Sequence, residues 1–433
     1  GFALHPEFGR SGSPNRGFVY IYYTSVLQGE QRNYLSRFDL TTGVPSAVRT
    51  TELILMDLDR AEDGFHNGGS VEFGPDGFLY LALGEMSDRT SHQRIDRSLS
   101  GGVVRIDVDL RGGDVSRPIQ RQPVDGKTDH YFIPIDNPFV DDPGALEEFF
   151  ALGLRNPFRI SFDPATGSLW AGDVGSTVWE EVNVINKGGN YQYPYVEGSE
   201  PTGKRRPEPI VGREVSPVYS YRHTAFDRAV IGGIVYRGDK YPELRGSYLF
   251  GDNYSGNIYT MPATGEPVES VRFIAKANQY AQRGITSFTQ TPDGEILLTT
   301  LGSASGSSGE VIRLVPKSEA RTTDTTSSSA EEEVVTLAEA EKLFSGNCSR
   351  CHGPTGRADG PDTSLLGVPV PDFSLAEFQT SRSDTDLYAV IEHGGTARGL
   401  SPLMPPWGMA LTPAEIEALV ALIRAQAGGP DGR

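Results

Sequence analysis

Residues 348–352 read Cys348-Ser-Arg-Cys351-His352. Two thiols at this spacing, with an imidazole beside the second, can bond both vinyl groups of a haem while the histidine reaches the iron; C-x-x-C-H is the haem c attachment pattern. The other axial ligand should be a soft sulfur further along the chain. Met404, in Leu-Met-Pro-Pro-Trp-Gly, stands at a suitable separation, with Met409 close behind as its rival; Met/His ligation raises the potential and suits electron transfer. The same cysteines could instead form a redox disulfide or join a zinc site. Zinc wants four ligands and finds only His393 as an obvious addition, and a thioredoxin-like pair would sit in a βαβ context that this segment lacks. Haem c is therefore expected, attached through Cys348 and Cys351, with His352 and Met404 on the iron.

The elements that must hold this group are short helices. Thr336-Leu-Ala-Glu339 is a capping box with Leu337, Ala340, Leu343 and Phe344 on one face, and Ser383-Asp-Thr-Asp386 is a similar start. Thr412-Pro-Ala-Glu415 combines an N-cap, Pro at the first helical position and Glu at the third, followed by Ile416, Leu419, Val420 and Ile423. Three amphipathic helices are expected in a domain over 334–433. The segment resembles a class I cytochrome c, and haem c is attached outside the cytoplasm, so the resemblance implies a periplasmic or otherwise extracytoplasmic protein. Ahead of this domain, 317–333 is a Ser/Thr/Glu run without aromatic or large aliphatic residues, which cannot offset its ordering entropy and reads as a flexible linker.

The remaining 1–316 have a different texture. The 433-residue chain contains 51 Gly and 30 Pro, yet its 37% hydrophobic content, with 18 Tyr and 20 Phe, is too apolar for disorder. One local sentence recurs, a tight turn followed by an apolar strand: 15–24, 74–83, 163–172, 250–261 and 291–300. Pro-Asp-Gly presets φ at Pro and supplies positive φ at Gly, and the Tyr, Phe, Val, Leu and Ile that follow favour a pleated strand. Partner strands fit at 33–40, 101–110 and 311–316. Such units, without helical periodicity, suit an all-β propeller of about six blades. The opening Gly-Phe-Ala-Leu-His-Pro-Glu-Phe reads as mid-strand, so material completing a blade is expected upstream. The formal charge of −18 comes without any basic stripe, which argues against nucleic acid and anionic membrane surfaces as partners. No apolar run is long enough for a membrane span.

Four passages are too specific for generic strands: 66–85, beginning His-Asn-Gly-Gly-Ser; 135–164, containing Gly-Leu-Arg-Asn-Pro; 172–194, beginning Gly-Asp-Val-Gly-Ser; and 231–252. Together they resemble the glucose/sorbosone dehydrogenase family, six-bladed propellers whose soluble sugar dehydrogenases use pyrroloquinoline quinone (PQQ) and calcium. Hedgehog-interacting-type relatives share the same phrases. The resemblance implies that His66 is the general base for a sugar C1 hydroxyl, that Arg155 and Asn156 contact the quinone oxygens, and that the loop Asp173-Val-Gly175-Ser176 holds calcium through its carbonyls. Asn190, Asp136-Asn137-Pro138 and Gly232-Gly233 also match and read mainly as blade turns. There are departures. Tyr254 stands about where the family's enzymes place a Lys for a PQQ carboxylate, Arg283 is the one obvious basic candidate left and is displaced in register, and Glu85 replaces an Asp common among relatives.

A two-electron quinone needs a one-electron acceptor, and a tethered cytochrome supplies one at high effective concentration. The resulting expectation is a quinohaemoprotein dehydrogenase that oxidises an aldose or related alcohol, reduces its own haem and passes electrons to an external cytochrome or terminal oxidase. The rival is a cofactor-free propeller that binds a glycan or protein and carries the cytochrome for electron delivery elsewhere.

Overall fold

The computed structural model describes residues 1–27, 30–59, 65–86, 93–224, 227–277, 284–301, 309–316, 335–363, 368–395, 400–401, 404, 407, 411 and 413–426. The linker expected over 317–333 and Arg283 lie outside them. The chain divides into two compact units, one comprising Gly1–His223 and Asp227–Leu314 and the other containing Val315–Arg433.

In the first unit the turn-plus-strand sentences become antiparallel meanders. Among the described residues five sheets are blade-like. The first runs Phe2–Leu4, Phe18–Leu27, Glu30–Asp39 and Leu53–Asp59, and the second Val71–Phe73, Leu79–Leu83, Gly102–Ile106 and Phe149–Leu152. The third is Pro157–Phe162, Leu169–Asp173, Trp179–Ile185 and Tyr219–Arg222; the fourth is Val230–Val235, Ser247–Asp252, Asn257–Pro262 and Arg272–Lys276. The fifth has three strands, Ile285–Gln290, Ile296–Thr300 and Val311–Leu314. Extra strands from the long 107–148 and 186–218 connections, such as Gly126–Thr128 and Gly189–Asn190, extend the first two sheets. The first strand of each sheet packs on the first strand of the next, the stacking of a propeller around its axis.

The turns work as their sequences require. In Pro75-Asp76-Gly77 the glycine takes φ 77°, and the Asp76 carboxylate accepts from the Phe78 N–H at 3.1 Å. The second strands, Leu79–Leu83 and Leu169–Asp173, are buried along their whole length because each sheet is covered on both faces. Aromatic pairs fill the seams between sheets: Tyr20 against Phe73 at 5.5 Å, Tyr80 against Phe162 at 5.0 Å, and Trp170 stacked on Tyr248 at 4.6 Å. The strand expected over 101–110 stops at Ile106, where Asp107 turns to hold Arg111 and Ser116 through its carboxylate.

In the second unit the capping boxes form as read. Thr336 and Glu339 start Leu337–Asn347, and Ser383 and Asp386 start Asp384–His393. Pro413–Ala425 is the last helix; Thr412, expected as its N-cap, lies outside the described residues. Two further helical turns were not anticipated, Ser349–His352 and Ala376–Ser381. The latter begins after Leu375, whose side chain cannot cap, so the sequence gives no start signal. No helix among the described residues is long and apolar enough to cross a membrane.

Candidate functional site

Blade topology decides where the chemistry collects. The first strand of each sheet runs away from one rim and the second returns to it, so residues just before the first strand and just after the second share an edge. His66 precedes Val71–Phe73 and Glu85 follows Leu79–Leu83; Arg155 and Asn156 precede Pro157–Phe162 and Val174-Gly175 follow Leu169–Asp173; Arg228 precedes Val230–Val235 and Tyr254 follows Ser247–Asp252.

His66 is the centre. Its backbone takes φ 55°, a left-handed conformation unusual for a residue with a Cβ, and strain of this kind persists where surroundings impose it. The close fit of Gly84 is part of that imposition, since a Cβ there would lie 1.9 Å from the His66 carbonyl oxygen. The ring Nδ1 lies 2.6 Å from Glu85 Oε1, and Nε2 lies 2.9 Å from an Arg155 terminal nitrogen. A guanidinium can only donate, so Nε2 accepts and Nδ1 carries the proton given to Glu85. Glu85 is buried while the His66 side chain keeps 25% of its surface exposed, leaving the imidazole open to a ligand.

Arg155 continues the chain of contacts. Its other terminal nitrogen donates to the Val174 carbonyl at 2.8 Å and to the Gly175 carbonyl. Asp173 fixes the Arg155-Asn156 turn from beneath, accepting from both backbone N–H groups at 3.0 and 2.6 Å. Burial pushes the Asp173 carboxyl up, and neighbouring Glu181 likewise. The Asn156 side-chain oxygen accepts from Gly68 N–H at 3.0 Å, tying this turn to the His66 loop. Tyr193 completes the wall beside Arg155; burial pushes its phenol up to about 12. The structure thus brings together His66, Arg155, Asn156 and Gly175, while Ser176 turns its N–H to Glu197 at 2.6 Å. At Tyr254, which is 43% exposed, the Arg228 guanidinium lies over the ring at 4.4 Å, so a cation does stand beside the residue that departs from the family's Lys. Asn190 and Asn137 serve as turn locks: the buried Asn190 amide bonds Gln93 and the Val211 carbonyl. Gly232-Gly233, expected as a blade turn, lies instead inside the strand Val230–Val235 at a register shift, where a Cβ on Gly233 would lie 1.8 Å from the Leu249 carbonyl oxygen.

Sequence reasoning had noted Glu85 as a departure without giving it a role, and it missed Asp173 as an organiser, Tyr193, Glu197 and Arg228. Only Glu85 left a signal, as a substitution in a familiar phrase.

The helical unit carries the second centre. Leu337–Asn347 ends at Cys348, and the next turn closes with Cys351 and His352 N–H groups donating to the Cys348 carbonyl at 3.2 and 2.9 Å. Both thiols are free, and burial pushes that of Cys348 up to about 12. His352 stacks on Phe373 at 4.7 Å, and burial pushes its imidazole down to about 4, so it is neutral, as an iron ligand must be. Met404 packs against the same cluster of Phe344, Phe373, Trp407 and Leu411. Two thiols, a half-buried imidazole and a thioether suit haem c. Met409 lies outside the described residues. Replacing Met404 with Ala should abolish the near-infrared sulfur-to-iron band of the oxidised protein; persistence of the band would assign the ligand to Met409.

Against this geometry, the family model described as Glucose / Sorbosone dehydrogenase matches residues 1–122 and 125–313. The chain belongs to that family. A second model, cytochrome C oxidase, cbb3-type, subunit III, matches 335–423, so this member of the family carries a cytochrome c domain with its haem c. The HIPL1 protein of Arabidopsis thaliana is 32% identical over 234 residues, 50% of this chain and 32% of its own length. The chain thus spans about a third of that relative. The aldose sugar dehydrogenase YliI of Escherichia coli (strain K12) is 28% identical over 319 residues, 72% of this chain and 76% of the relative. The crystal structure of the soluble aldose sugar dehydrogenase from Escherichia coli in the apo-form superposes with a TM-score of 0.54 at 24% identity, covering 73% of this chain and 82% of that one, and shows the propeller fold.

Proposed function

We propose that the chain is an extracytoplasmic quinohaemoprotein dehydrogenase that oxidises the C1 hydroxyl of an aldose, or a related alcohol, and passes the electrons through its own haem c to an external cytochrome or oxidase. The observation that carries this reading is His66, held at Nδ1 by buried Glu85 with Nε2 directed into an exposed rim beside Arg155. The relatives named as aldose sugar dehydrogenases and the fused cytochrome domain support it.

His66 in this tautomer is a base: its Nε2 lone pair takes the C1 hydroxyl proton once the substrate displaces the Arg155 contact, and Glu85 balances the imidazolium that results. PQQ bound at this rim would supply the acceptor for the C1 hydride. Arg155 and Asn156 would hold its quinone oxygens, donating to the negative charge that grows there. Arg155 Nε is buried without a partner among the described residues, and Arg228 has its charge exposed beside Tyr254, so donors for an anionic cofactor are present. Calcium, a hard cation that takes oxygen ligands, would take the Gly175 and Ser176 carbonyls; in this structure Arg155 donates to the Gly175 carbonyl and would have to yield it. Haem c on Cys348 and Cys351 would take the electrons singly.

The test uses the full chain loaded with PQQ and Ca²⁺. Addition of aldoses should reduce the haem, read by its visible absorbance bands. If no aldose or sugar alcohol reduces it while a glycan or protein ligand binds the propeller, the dehydrogenase reading falls and the binding-module reading replaces it.

A further inference from the structure

We infer that Glu197 is a positioning residue for the site, fixing the loop after Leu169–Asp173 so that its carbonyls aim Arg155 at His66. The inference deepens the proposed function and rests on that reading of Arg155 and His66.

One oxygen of Glu197 accepts from four consecutive backbone N–H groups, those of Ser176 at 2.6 Å, Thr177 at 3.0 Å, Val178 at 3.3 Å and Trp179 at 3.3 Å. The two N–H groups before them are also taken, Val174 by the Asn156 carbonyl at 3.1 Å and Gly175 by Glu180 Oε2 at 3.3 Å. With its donors committed to these acceptors, the loop leaves the Val174 and Gly175 carbonyls for the Arg155 guanidinium. A carboxylate is suited to this post, because successive N–H groups in a curled loop form a concave, partly positive nest. The curl is tight: a Cβ on Gly175 would sit 1.5 Å from the Trp179 carbonyl oxygen and 3.0 Å from Glu197 Oε1. Glu197 is itself held firmly. It is buried at the end of the short strand Val196–Glu197, the following Gly198 N–H donates to Glu181 at 2.7 Å, and the Trp179 indole lies so close to Gly198 that a Cβ there would approach it to 2.6 Å.

The chain of contacts therefore runs from Glu197 through the loop N–H groups to two carbonyls, to Arg155 and to His66 Nε2. Its prediction differs from that of a residue which only stabilises a turn. In full-chain Glu197→Ala and in the isosteric Glu197→Gln, amide hydrogen exchange at 176–179 should speed up by about ten-fold or more as these bonds open locally. The Arg155 guanidinium, followed by side-chain NMR and assigned with Arg155→Lys, should become mobile. With PQQ and Ca²⁺ bound, kcat should fall about 100-fold, the scale of a small misplacement of catalytic groups, with KM within about two-fold. Faster exchange with an unchanged Arg155 signal and unchanged kcat would make Glu197 a turn stabiliser and overturn the inference. If the wild-type chain oxidises no sugar, the proposed function fails by itself, and the Arg155 signal still decides the case for Glu197.

Discussion

Replacing His66 with Asn should lower kcat for sugar-driven haem reduction by about 10²- to 10⁴-fold, the usual range for loss of a positioned general base. Asn suits this test because it tolerates the φ of 55° that the position imposes, where other residues would pay for the strain. Its side-chain amide stands where the imidazole Nδ1 stood and can still donate to Glu85, while the Nε2 atom that meets Arg155, and with it the capacity to take a proton, is gone. The pH dependence of kcat/KM on its acid side should flatten in the variant, since the group that must be neutral for turnover is absent. Stopped-flow haem reduction at several pH values measures both. Turnover within about ten-fold of wild type, with an unchanged profile, would remove His66 as the base.

The double substitution Cys348→Ser with Cys351→Ser should abolish covalent haem altogether. It should reduce sugar-driven reduction of an external cytochrome to background while sugar oxidation by a soluble redox dye continues in the propeller. The two thiols are free and emerge from consecutive turns, so no other bond competes for them. Phe344, Phe373 and Met404 pack in the same apolar cluster as Cys348, so a haem bound there would add to a core that a unit this small otherwise has little of. The expected signature is therefore two-fold: no haem stain on a denaturing gel, and a helical unit that melts early while the propeller transition is retained. Equal loss of dye-linked and cytochrome-linked turnover would mean that the haem serves the oxidation itself.

What could be read from the chain follows the range of the interactions. Capping boxes at Thr336 and Ser383 were legible because cap and partner lie within one turn, and the Pro-Asp-Gly turns for the same reason. His66, Arg155, Asn156 and Gly175 were reached through whole phrases of sequence, since no periodicity joins residues on different blades. The structure brings those phrases to one rim. Glu197 acts on backbone N–H groups, which every sequence possesses, so its role leaves no trace in side-chain spacing. Arg228 was hidden in another way: the position that departs from the family is Tyr254, and the cation arrives from the neighbouring strand's approach rather than from the substituted residue. Arg283, the basic candidate chosen from sequence, lies outside the described residues, as does the 317–333 linker.

The rim that these residues border belongs to no single sheet, because His66 and Glu85 come from the second, Arg155, Asn156 and the Val174-Gly175 carbonyls from the turns around the third, and Arg228 with Tyr254 from the fourth. A molecule bound across it would act as a brace between blades whose own contacts are mostly with their neighbours. Any ligand that binds the folded chain alone adds to its stability by mass action, about 2.7 kcal/mol at a concentration one hundred times its Kd. Occupancy of the rim and resistance to unfolding are then one equilibrium.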